Sequence, residues 1–223
     1  MPTARAHIVD PRLAGYVADH STPPDEHQRR LIEVTRDRTG DAAGMQIGAD
    51  QATLFQILTG AMAVTSAIEI GTFTGFSALA IARGLAPGGR LICCDVSEEW
   101  TTIARQAWEA AGVADRIDLH VGPALDTLAE LGSDERFDLA FVDADKTGYL
   151  AYVEALLPRM RPRGVILVDN TLWSGRVAEP AGPDDNANTV ALRTFNDTIA
   201  ARDDVLVTVL PIGDGVTVIQ RRP

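Results

Sequence analysis

Two short apolar runs end in Phe141-Val-Asp-Ala-Asp-Lys146 and Leu167-Val-Asp-Asn170, which puts three carboxylates and an amide at the tips of two expected strands. Carboxylates set side by side repel unless something positive lies between them. A hard divalent cation answers that, because Mg2+ prefers oxygen ligands in an octahedron and keeps positions for water or substrate; Mn2+ and Ca2+ are the alternatives. Asp143, Asp169 and Asn170 would supply three oxygens, leaving room for two adjacent substrate hydroxyls and one water. An aromatic vicinal diol held through both oxygens would lose a proton more readily there. Lys146 is placed to take that proton, given a neighbouring cation and partial desolvation to loosen its own. The competing reading is that the acids cap helices, the commonest use of Asp after a strand, and that Lys146 lies on the surface.

A second cluster lies upstream. Ala67-Ile-Glu-Ile-Gly-Thr-Phe-Thr-Gly-Phe-Ser77 sets Glu69, Gly71 and Gly75 where a buried strand turns into a helix, the edge at which open α/β sheets collect ligands. In a dinucleotide fingerprint the second glycine lets the backbone approach a pyrophosphate, and Phe73 stands in that place. A sulfonium nucleoside has no phosphate and needs only the tight turn and a nearby carboxylate, so S-adenosylmethionine fits this loop better than NAD. Asp95, about 20 residues past the second glycine at the end of the next strand, is placed to accept hydrogen bonds from ribose hydroxyls. It could instead cap the helix that begins near Ser97 or Glu98. Ser77 is either a ligand of the methionine carboxylate at the helix N-terminus or an ordinary helix-start serine.

The elements that must position these residues follow from periodicity. From residue 67 onward, β-rich runs at 67–71, 90–96, 117–122, 137–143 and 164–170 alternate with helical patterns at 75–83, 98–111, 124–131 and 149–160, which predicts a parallel sheet covered by helices. The last two runs, 205–212 and 215–221, are joined across Gly213-Asp214, too short a link for a helical crossover, so they form an antiparallel hairpin. A dinucleotide-binding half-domain is parallel throughout. Residues 1–66 show no strand and read as a helical extension, with helices at 27–38 and 49–63, of a single domain whose α/β core is 67–223. The breaker-rich stretch 179–186 is expected to be a substrate-facing or mobile loop.

A chain of 223 residues with 46% hydrophobic content buries one substantial core, and its net charge of −11 argues against a sequence-independent grip on nucleic acid or anionic lipid. Small molecules and copies of itself are the expected partners. Cys93 and Cys94 are adjacent, where a mutual disulfide would be strained, which fits a reducing cytoplasm. Neither a run of roughly 18 to 20 apolar residues nor an apolar signal core is visible. His7, His20, His27 and His120 are scattered without ligand spacing and read as surface or N-terminal lid residues. Trp100 and Trp108 share one helix and read as residues that pack it against its neighbours; the alternative for Trp100, close to Asp95, is contact with an adenine.

Taken together, residues 69–77, 142–146, 168–173 and 210–215 resemble, in order, the motifs of the cation-dependent class I O-methyltransferases, the caffeoyl-CoA O-methyltransferases and their bacterial relatives above all, and catechol O-methyltransferase more distantly. The likeness covers about residues 40–222. It implies a Rossmann-like α/β methyltransferase, a mostly parallel seven-stranded sheet with helices on both faces and a C-terminal antiparallel hairpin. It implies Asp143, Asp169 and Asn170 as metal ligands and Lys146 as the base. Met45, Glu69, Gly71, Phe73, Ser77, Asp95, Ala124, Asp143 and Asp145 would surround S-adenosylmethionine, Trp173 and Ser174 would meet the acceptor, and the protein would be a homodimer. On the residues alone, Met45 is equally a core filler and Trp173 a packing residue. The plant enzymes carry Asn after this tryptophan and a basic, tyrosine-rich loop; here stand Ser174 and a loop without those features. A small catechol, a flavonoid or a catechol-bearing natural-product intermediate therefore matches as well as a CoA thioester. The two readings of other classes are an NAD-dependent oxidoreductase, opposed by Phe73 and the final hairpin, and a non-catalytic S-adenosylmethionine-binding protein, opposed by the intact Asp143, Lys146, Asp169 and Asn170 set.

Overall fold

The structure, a computed structural model, describes residues 11–183 and 185–222; His7 and Asp184 lie outside the described residues. The chain runs α1 (Pro11–Asp19), α2 (Glu26–Thr39), α3 (Ala49–Ala61), β1 (Ser66–Ile70), α4 (Phe76–Gly84), β2 (Arg90–Asp95), α5 (Glu98–Ala110) and β3 (Ile117–Val121). It continues through α6 (Ala124–Glu130), β4 (Phe137–Val142), α7 (Tyr149–Leu156), β5 (Met160–Val168), α8 (Ala187–Ala200), β6 (Val205–Leu210) and β7 (Val216–Arg221). The seven strands form one sheet in the order β3-β2-β1-β4-β5-β7-β6. All neighbours pair in parallel except β7, which runs antiparallel to both β5 and β6.

Alternation along the central strands divides the core into two layers, because successive side chains point to opposite faces. Ala67, Leu91, Cys93, Leu139, Phe141 and Leu167 pack toward α3, α4 and α5. Ile68, Ile92, Cys94, Ala140, Ile166 and Val168 pack toward α6, α7 and α8. The strands are therefore apolar almost throughout, as strands covered on both sides must be. Cys93 and Cys94 are free and buried in opposite layers.

Helix starts follow capping chemistry: Asp25 and Gln28 form a reciprocal capping box on α2, Ser97 accepts from the Trp100 N–H on α5, and Asn186 accepts from the Thr189 N–H on α8. One boundary departs from the sequence reading. The helix expected over 149–160 ends at Leu156, a 3-10 turn takes Leu157–Arg159, and β5 begins at Met160 rather than at residue 164. Pro158 has no N–H to continue the helix but suits the start of a new turn, so the apolar spacing persists while the helix stops. The β4–β5 register then passes from Phe137 opposite Met160 to Leu139 opposite Val165, so the extra residues bulge out of the strand. Among the described residues no helix is long and apolar enough to cross a membrane.

Candidate active site

The carboxyl ends of β1, β2, β4 and β5 open on a cavity of about 720 Å³. At one end the β1–α4 loop is held by close backbone approach: a Cβ on Gly71 (φ 89°) would overlap the Asp143 carbonyl, and one on Gly75 (φ 83°) would meet the Trp108 indole. Trp108 instead donates its indole N–H to the Gly75 carbonyl at 3.0 Å. Phe73 takes φ 51°, the conformation a glycine would adopt freely, and its ring stands edge-on to Trp100 at 4.9 Å. Asp95 is not the α5 cap. Its Oδ2 accepts the backbone N–H groups of Thr72 (2.9 Å) and Phe73 (2.7 Å), and its Oδ1 that of Ser97 (2.8 Å). Helix α2 backs the loop through a buried hydrogen bond from the Thr35 hydroxyl to that of Thr74, 2.8 Å.

At the other end Asp143 and Asp169 follow the paired residues Val142 and Val168. Asp169 is buried, and its Oδ1 has no hydrogen-bond partner. Burial first, and the Asp143 charge second, push its carboxyl up to about 8. Asn170 turns left-handed beside it (φ 56°) and lines the cavity. The Lys146 ammonium donates to Asp143 Oδ1 at 2.9 Å and to the Tyr149 hydroxyl at 2.7 Å. The Asp143 carboxylate, expected as a metal ligand, is thus also the ion-pair partner of Lys146.

Of the residues expected around the cofactor, Met45, Gly71, Phe73, Ser77, Asp95 and Ala124 line the cavity, as does Asp145. So do Asp143, Lys146, Asp169, Asn170, Trp173 and Ser174, expected at the metal and acceptor. Glu69 is the exception: it lies in register between Cys93 and Phe141, fully buried and off the cavity wall. Burial pushes its carboxyl up to about 8, and its Oε2 is unpartnered. Among the described histidines none lines the cavity: His20 stacks on Tyr16, His27 is exposed, and His120 pairs with Asp118.

Sequence reasoning missed Gln51, Tyr149, Tyr152 and Asp214. Gln51 is 1% exposed on α3 and faces Asp169; a buried polar residue within an apolar helical pattern was the only signal. Tyr149 and Tyr152, on the turn after Lys146, hold the lysine and Asp145, the latter through a 2.5 Å bond from the Tyr152 hydroxyl. Asp214 sits in the hairpin turn and meets Ser174.

The donor set fits a hard cation. Two carboxylates and an amide supply oxygen, and the buried unpartnered Asp169 oxygen lacks the positive group it requires. Among the described residues no three His, Cys, Asp or Glu side chains form a metal cluster, and Asn170, next to Asp169 on the cavity wall, is a residue that could add an amide oxygen to the two carboxylates.

Comparison with known proteins gives a consistent neighbourhood. The sequence profile of a family described as O-methyltransferase matches residues 18–222. Probable caffeoyl-CoA O-methyltransferase 1 of Dictyostelium discoideum is 39% identical over 212 residues, 94% of this chain and 91% of that protein. Tricin synthase 1 of Oryza sativa subsp. japonica is 40% identical over 233 residues, 98% of this chain and 91% of that protein. Among solved structures, the O-methyltransferase from Bacillus cereus in complex with SAH superposes with a TM-score of 0.85 at 31% identity, covering 95% of this chain and 97% of that one. TomG from Streptomyces achromogenes, an O-methyltransferase involved in tomaymycin synthesis and solved with SAM, gives 0.85 at 29% identity over 95% and 96%.

Proposed function

This chain belongs to the O-methyltransferase family and is an S-adenosylmethionine-dependent enzyme of the caffeoyl-CoA type, and from that premise we propose that it methylates one hydroxyl of a catechol-type acceptor with a divalent cation, Mg2+ foremost, at Asp143, Asp169 and Asn170. The single observation that carries the metal is the buried, unpartnered Asp169 oxygen beside Asp143 at the cavity wall. The acceptor class is supported by the relatives named for a caffeoyl group, which is itself a vicinal dihydroxy aromatic. A bound cation would stabilise the acceptor oxyanion and orient both hydroxyls.

The chain's own residues divide the remaining work. Lys146, held in the cavity by Asp143 and Tyr149, takes the hydroxyl proton at Nζ as the neutral amine, its ammonium having first released one proton to solvent. The β1–α4 loop and Asp95 hold the nucleoside, with Ser77 and Asp145 near the methionine portion and Met45 over the cofactor. Trp173 and Ser174 bound the aromatic ring. Methyl transfer is an in-line displacement, so most of the acceleration comes from keeping nucleophile, methyl carbon and sulfur aligned. The family resemblance adds a homodimer to this proposal, to be checked by light scattering.

The test is a methyl-transfer screen over a simple catechol, a flavonoid, caffeic acid, caffeoyl-CoA and a monohydroxy phenol, each with EDTA and with EDTA followed by excess Mg2+. Turnover lost in chelator and regained with Mg2+, together with loss of Mg2+ binding in Asp169→Ala, is expected. Full activity in chelator overturns the metal, and activity confined to acceptors without adjacent hydroxyls overturns the catechol.

A further inference from the structure

Beyond Asn170 the chain takes a path that side chains resist: Trp173 (φ 46°), Ser174 (φ 54°) and Gly175 (φ 86°) are consecutive left-handed residues, two of them bearing a Cβ. The turn between β6 and β7 holds them there. Thr171 donates its backbone N–H to the Gly215 carbonyl at 3.1 Å, and Leu172 donates to the Asp214 carbonyl at 3.0 Å. The Asp214 carboxylate then accepts the Ser174 N–H at 2.5 Å. The approach is close enough that a Cβ on Gly215 (φ 89°) would overlap the Leu172 side chain. Asp214, Trp173 and Ser174 share the acceptor end of the cavity wall, where the Trp173 indole N–H is buried without a partner.

We propose that Asp214 is a positioning residue for the acceptor: its hydrogen bond to the Ser174 N–H fixes the left-handed run and thereby sets which of two adjacent hydroxyls faces the methyl group. This rests on the catechol reading of the cavity. The physical ground is that a carboxylate bond to a backbone N–H is strong and directional, and a run of residues outside its preferred conformation relaxes when that bond is removed.

The experiment compares wild type, Asp214→Ala and Asp214→Asn, whose amide oxygen keeps the acceptor, on 3,4-dihydroxybenzaldehyde, with both monomethyl products quantified. In Asp214→Ala the acceptor KM should rise about tenfold and the product ratio should shift, while S-adenosylhomocysteine affinity stays within about twofold of wild type. Asp214→Asn should restore both acceptor readouts. Wild-type KM and product ratio in Asp214→Ala, or equal impairment of Ala and Asn, overturns the proposal. Should Asp214→Ala not fold, Asp214→Glu, which moves the carboxylate by one methylene, must shift the product ratio. If wild type methylates no catechol, the acceptor reading falls. Hydrogen exchange over residues 171–175 then decides the clamp: faster in Asp214→Ala and unchanged in Asp214→Asn, with equal exchange in all three overturning it.

Discussion

The two ends of the cavity are built on opposite principles. At the β1–β2 end the loop backbone is largely satisfied, with the Thr72 hydroxyl left unpartnered: three backbone N–H groups converge on Asp95, Trp108 closes on the Gly75 carbonyl, and Gly71 touches the Asp143 backbone. At the β4–β5 end the wall is left wanting. Asp169 has a buried oxygen without a partner, Trp173 an indole N–H without one, and Asn170, Trp173 and Ser174 hold left-handed backbone. The first end spends its carboxylate on its own loop backbone, whereas the second has polar capacity that a ligand, a cation or both would complete. Glu69 qualifies the contrast, since it too is buried with an unpartnered oxygen, yet it lies beneath the wall and not on it.

Breaking the reactive end should cost most. Lys146→Ala is expected to lower kcat by about 10² to 10⁴-fold, the usual loss of a general base, with S-adenosylhomocysteine affinity by calorimetry unchanged. A matching fall in that affinity would mean that the two ends are not separate. Next comes Asp95→Ala, which removes the acceptor of three N–H groups; affinity for S-adenosylhomocysteine should drop about tenfold to a hundredfold, with acceptor KM little altered. Intact affinity would show that Asp95 braces the loop without touching the nucleoside.

The smallest effect belongs to Glu69. Its carboxyl holds a proton up to about pH 8 when folded, against a reference of 4.5, so the folded state carries an extra proton between those values. Stability is therefore full below about pH 4.5 and lost as pH rises through 8. Relative to Glu69→Gln, wild type should lose about 3 °C or more of Tm between pH 5 and 8. Parallel melting curves for the two proteins would place the charge elsewhere.

Much of this was legible in the chain itself. The strand-end residues Asp143, Asp169 and Asn170 were readable because parallel strands buried on both faces leave polar residues mostly at their tips. Phe73 in the glycine loop and the short Gly213-Asp214 link both pointed away from a dinucleotide fold, and the sheet ends in the expected hairpin. The end of α7 was not readable, since Leu157 and Met160 keep helical spacing through a 3-10 turn. Nor was the depth of Glu69 readable: strand parity sets it beside Cys93, in the layer under the loop.

By itself, then, the sequence determined the order of strands and helices, the glycine loop, and which residue types gather at the strand tips, because these depend on local periodicity and on the burial of both sheet faces. Only the tertiary structure decided that Asp95 spends its oxygens on the loop backbone, that Tyr149 and Asp143 share the Lys146 ammonium, and that Asp214 reaches back to Ser174. Those bonds join residues whose spacing carries no signal, and they exist because β7 runs antiparallel beside β5 and brings the hairpin turn against the segment that follows Asn170.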